Sequence, residues 1–201
     1  ALARTAYAEA INHFRESLAA LDSLPATPQQ RGQALRLNLL LGACLTVTLG
    51  WTHPAVEETY QQARALSEEL GDRPEIAPLL VELALGYYSV RADYQDALEL
   101  AGRLQQLGDD NNDMAMQLQA QHARGMIAFC QGRFGEAREA LGEALRRYDP
   151  RQHHGSVILH QLDPGVSSHA FAACAHWCLG EPGPARTHGR QTLKRARELG
   201  H

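Results

Sequence analysis

The sequence is short of positive charge, cysteine and aromatic residues, and it has no long apolar run. It carries 19 Lys and Arg against 23 Asp and Glu, a formal charge of −4. No basic excess is present to neutralise phosphates, so nucleic acid is not an expected partner. The longest apolar run, Leu39 to Leu49, is broken by Gly42, Thr46 and Thr48 and falls short of the ~20 residues that a bilayer needs. No membrane association is expected. Arg4, Glu9 and Arg15 punctuate the first segment, unlike the apolar stretch of a signal peptide. The four cysteines, Cys44, Cys130, Cys174 and Cys178, lack the spacing of a disulfide framework and point to a reducing cytoplasm.

Motifs that carry chemistry are also missing. There is no G-x-x-x-x-G-K-[ST], no G-x-S-x-G and no H-E-x-x-H, so no catalytic residue and no cofactor is expected. Asp109, Asn111 and Asp113 begin like a calcium loop, but Met114 stands where that loop needs glycine and Ala120 where it needs glutamate. The stretch reads as a turn with helix N-caps. Adjacent acids such as Glu57-Glu58 and Glu68-Glu69 point apart on a helix and form a solvated face.

What is present is helix punctuation. Hydrophobic residues make up 44% of the chain, enough to fold. Thr27-Pro28, His53-Pro54, Arg73-Pro74 and Asp163-Pro164 read as helix starts. Gly71, Gly108, Gly132, Gly180 and Gly200 read as stops. Apolar residues between them recur at threes and fours, as in Leu79, Leu83, Gly86, Tyr87 and Val90. The expectation is about nine helices, at 2–24, 28–50, 54–70, 74–91, 94–107, 112–131, 134–148, 164–179 and 183–199, an all-α chain of antiparallel hairpins. The first residues are already in helical phase with no cap before them, which reads as a piece of a longer chain.

The hairpins repeat. In "ARGMIAFCQGRFGEAREALGEAL", Gly125 and Ala137 are small where two helices come closest, and Phe134 and Leu141 fill the wedge. Equivalent small positions, Ala10, Val56, Ala97, Ala137 and Ala185, lie 46, 41, 40 and 48 residues apart. The pattern resembles tetratricopeptide (TPR) repeats, whose usual period is 34. That resemblance implies a single TPR-like α-solenoid, a right-handed superhelix with repeats near 1–25, 28–71, 74–108, 112–148 and 163–200. A longer connection, 149–162, interrupts it.

Tyr148–Pro150, His153, Asp163–Val166 and Trp177–Ala185 together make a narrower pattern, "YDP…H", "DPGV" and "W-x-LG-x-P-x-x-A". It resembles the C-terminal repeat region of bacterial multidomain signalling proteins, in which a class III adenylate/guanylate cyclase domain or a DNA-binding domain is joined to an AAA/NACHT-like ATPase. The resemblance implies a non-catalytic regulatory module.

The TPR register implies a concave wall lined by the first helix of each pair. It places Glu82, Ser89, Gln119, His122, Met126, Phe129, Ala170, Cys174 and Trp177 there, a surface suited to a protein, a peptide or other domains of the parent chain. The alternative for Phe129 and Trp177 is that they fill the next repeat. Val166, Ala170, Ala173, Cys174 and Trp177 form one apolar stripe, so Cys174 and Cys178 read as small core residues rather than metal ligands. Asp163, Pro164, Gly180 and Ala185 read as structural. Seven of the ten histidines follow residue 150, but His169 and His176 sit ~10 Å apart along a helix, too far to share an ion. A second function is a small-molecule sensor with its pocket between the wall and the 149–162 connection; an unrecognised metal-dependent enzyme is a third.

Overall fold

The computed structural model describes residues 2–50, 52–71, 73–150 and 163–199. Its elements are α1 (Leu2–Asp22), α2 (Pro28–Leu49), α3 (Pro54–Leu70), α4 (Ala77–Val81), α5 (Tyr94–Asp110), α6 (Met114–Cys130), α7 (Phe134–Arg147), α8 (Pro164–Cys178) and α9 (Pro182–Glu198). There is no strand among the described residues. The chain divides into two compact units, Ala1–Leu83 and Ala84–His201.

Short-range chemistry sets the helix starts. Thr27 accepts from the Gln30 N–H, His53 Nδ1 from the Ala55 N–H, Asp113 from Ala115 and Met116, and Asp163 from Gly165 and Val166. Each side chain occupies an amide that the first turn leaves unpaired. Gly132 and Gly180 close α6 and α8 at φ 75°, a conformation that costs glycine nothing. Gly108 departs from its expected role as a stop. It lies inside α5, where an added Cβ would stand 2.8 Å from Gln117 Cγ, so it serves a close approach. Gly200 lies outside the described residues.

In the first unit α2 is the core helix, packed on α1 and α3. It buries Leu35, Leu39 and Leu45 against Val56, Tyr60 and Ala63 of α3. A Cβ at Gly42 would stand 2.7 Å from the Tyr60 ring. By length and mean hydropathy α2, at 22 residues, could cross a membrane, a longer apolar element than the interrupted run suggested. Here 39% of its apolar window is buried within the protein.

The helix expected over 74–91 is not one α-helix. A 3₁₀ turn (Pro74–Ile76) leads into α4, which widens into a π-helix at Glu82–Tyr88. Leu79, Leu80, Leu83, Ala84, Tyr87 and Tyr88 are all buried. These pairs recur every four residues, longer than the 3.6 of an α-helix, and a wider helix keeps them on one face. Val90, expected in the same stripe, is exposed.

In the second unit α5 packs on α6, α6 on α7, α7 on α8 and α8 on α9. An added Cβ at Gly125 would stand 2.5 Å from Leu141 Cγ, so the packing of Leu141 of α7 on α6 requires glycine there. Ala137 and Leu141 are buried there, and the half-buried Phe134 packs on Phe129 at 5.5 Å between ring centroids. Four of the five small repeat positions, Val56, Ala97, Ala137 and Ala185, are buried.

Candidate functional site

The residues placed on one wall by the sequence separate into a seam and a surface. His122, Met126 and Phe129, at i, i+4 and i+7 on α6, face α8. His122 Nδ1 lies 2.8 Å from Ser168 Oγ, Ser167 Oγ lies 3.8 Å from Met126 Sδ, and the Phe129 and Phe171 rings meet edge-on at 5.5 Å. His122 is 4% exposed, and burial lowers its pKa to about 4, so it is a neutral core histidine. Its place on an open wall is corrected: between two first helices, a polar side chain that can pair with a serine fills the seam. Ser89 is likewise buried, its hydroxyl without a hydrogen-bond partner among the described residues. The Glu82 side chain lies outside the described residues. Gln119 is half-buried.

On α8 the expected stripe is turned outward. Gly165, Ser168, Ala172 and Ala175 are buried, and a Cβ at Gly165 would stand 2.4 Å from the Tyr148 ring. Cys174, Trp177 and Cys178 are exposed, Trp177 at 69%, while Val166, Ala170 and Ala173 are half-buried. The reading of the two thiols as core residues is therefore corrected. The covered side of α8 is made of Gly165, Ser167, Ser168, Ala172 and Ala175 with the half-buried Phe171, while Cys174 and Trp177 lie on the other side.

Asp163 and Pro164 are buried as the start of α8. The Tyr148 hydroxyl donates to the Asp163 carboxylate at 2.8 Å, and Arg195 Nε of α9 donates to the same hydroxyl at 2.8 Å. A second Arg195 nitrogen reaches Asp163 and the Pro150 carbonyl, each at 3.3 Å. Burial, then the Asp163 hydrogen bond and charge, push the tyrosine pKa up to about 12. The "YDP" and "DPGV" pieces thus form one clasp across the two ends of the 149–162 connection. Residues 151–162, with His153, His154 and His160, lie outside the described residues, and so does the pocket expected beside them.

A histidine cluster lies between α8 and α9. His169 and His176 are bridged by His188, which the sequence reading left aside. His169 Nδ1 is 2.9 Å from His188 Nδ1, and the His176 ring stacks on His188 at 5.2 Å between centroids. His176 Nδ1 meets Glu181 at 2.5 Å, and Glu181 also takes Arg138 of α7 at 2.9 Å. Burial first, then the neighbouring histidine, lowers the pKa of His169 to about 4, and the same causes lower His188. A stacked His176 cannot aim its nitrogens at an ion held by the other two, and among the described residues there is no metal-ligating group of three or more. A groove of about 650 Å³ between α5, α6 and α7 is rimmed by Arg124, Glu139, Glu143 and Arg146. It contains none of the expected wall residues.

No family model matches the sequence, and no curated protein matches it. Solved structures do resemble the fold. BtubC (BKLC) from P. vanneervenii superposes with a TM-score of 0.73 at 17% identity, over 97% of this chain and 75% of its own. MamA MSR-1 C2 gives 0.53 at 16% identity, over 98% of this chain and 99% of its own. The fold is a TPR-like helical solenoid.

Proposed function

We propose that this TPR-like chain is a non-catalytic interaction module of a larger bacterial signalling protein in the reducing cytoplasm. It takes up a peptide or a domain of its parent on the open face of α8 and thereby regulates the parent's ATPase or output domains. The observation that carries the reading is Trp177, 69% exposed on an apolar stripe with Ala170, Ala173 and Cys174. A large aromatic left in water within such a stripe favours a partner, because interface energy concentrates on tryptophan that becomes desolvated.

The test is quantitative capture of the parent's ATPase domain by the wild-type chain and by Trp177→Ala. Binding should weaken at least ~tenfold in the variant, with the fold intact by circular dichroism. Equal binding by both proteins, or no binding by the wild type, counts against the reading.

A further inference from the structure

Helix α9 repeats the chemistry of α7, and among the described helices it packs chiefly on α8. The 48-residue step that relates Ala137 to Ala185 also relates Arg138 to Arg186 and Leu145 to Leu193. On α7 both side chains are used. Arg138 pairs with Glu181 at the turn of the next hairpin, 2.9 Å away, and Leu145 packs on the cluster that Ala172 and Ala175 of α8 complete. On α9, Leu193 is 59% exposed, and Arg186 is exposed with no ion-pair partner among the described residues.

Arg190, Lys194 and Arg197 are exposed too. At spacings of three and four from Arg186 and Leu193, they share one face of the helix. Helix α9 holds five of the chain's 19 basic side chains and one of its 23 acidic ones; only Arg195 among the five is committed inward, to Tyr148 and Asp163. In an acidic protein this is a local basic stripe with an apolar centre.

We propose that this face of α9 docks an acidic amphipathic helix of a partner protein. A partner carboxylate meets Arg186 as Glu181 meets Arg138, an apolar side chain covers Leu193, and further carboxylates line Arg190, Lys194 and Arg197. Charge complementarity fixes the sign of the partner, and Leu193 at the centre favours a helix over a polyphosphate. The acidic remainder of the chain also repels nucleic acid. The surface is separate from the Trp177 stripe, so this docking stands or falls independently of the proposed function.

The probe is a synthetic alanine-based helical peptide with glutamates and leucines along one face, titrated against the full chain at low salt and followed by fluorescence anisotropy. Saturable binding is expected. It should weaken at least ~tenfold in Arg186→Glu/Arg190→Glu and also in Leu193→Asn, while the thermal midpoints of these surface variants stay at the wild-type value. The same peptide with lysines in place of the glutamates should not bind. The proposal is overturned by absent saturation, by Leu193→Asn binding as tightly as wild type, by heparin or duplex DNA binding more tightly than the peptide, or by sedimentation that shows self-association through Arg186.

Discussion

Small residues hold the helices together here, and their consequences are testable one at a time. Gly125 sits against Leu141 with room for no further atom: an added Cβ would stand 2.5 Å from Leu141 Cγ and 3.1 Å from its backbone nitrogen. Gly125→Ala should therefore destabilise the protein by about 1–3 kcal/mol through overpacking, despite the gain in helix propensity; a denaturant melt unchanged from wild type would contradict this packing. Trp177→Ala, the largest truncation available on α8, should cost less than ~1 kcal/mol, because a ring 69% exposed leaves no cavity behind. A loss of ~3 kcal/mol or more would mean that the ring is buried between helices. The two substitutions invert the usual expectation that the larger residue matters more for stability.

At the scale of the helices, pairing across seams makes stability depend on pH. His122, between α6 and α8, faces Ser168. Its folded pKa of about 4 lies below the ordinary 6.5. Between these values the unfolded chain takes up a proton that the folded seam refuses, so stability is full above pH ~6.5 and falls as the pH drops towards 4. The loss from this residue approaches ~3 kcal/mol at the lower end. His169 and His188 add to it with the same sign, since their folded pKa values are also depressed. When both rings are protonated, their facing Nδ1 atoms are both donors. The thermal midpoint should fall steeply from pH 7 to pH 5, and His122→Gln should flatten part of that slope. Parallel profiles for the two proteins would show that the imidazole is not the group responsible.

The molecule as a whole divides at the π-helix, where α4 gives way to Tyr87 and Tyr88. The second unit contains its own core, built from Ala128, Ala137, Leu141, Ala172 and Ala175, and carries both surfaces assigned to partners. In helical arrays stability is the sum of each repeat and its nearest neighbours. A fragment of residues 84–201 should therefore melt cooperatively by itself. A fragment without a cooperative transition would show that this core depends on residues before Ala84.

Much of this architecture follows from consecutive residues alone. Thr27-Pro28, His53-Pro54 and Asp163-Pro164 mark helix starts, Gly71, Gly132 and Gly180 mark ends, and the repeated small positions disclose hairpins that pack closely. These features are local, because a cap or a positive φ is satisfied within a few residues. The π-helix was hidden, since its four-residue recurrence differs from a helical one by less than half a residue per turn. The candidate site was legible in part: His122 of α6 is buried against Ser168 of α8 rather than open, while Cys174 and Trp177 of α8 are exposed, so there only the core reading of the thiols fails. On α8, alanine, serine and glycine fill the covered side while Trp177 and Cys174 remain outside. Hydrophobicity identifies a buried face only where neighbours leave room for large side chains. Tertiary structure alone decided which side of α8 is covered, that His188 joins His169 and His176, and that Arg195 closes the clasp between Tyr148 and Asp163.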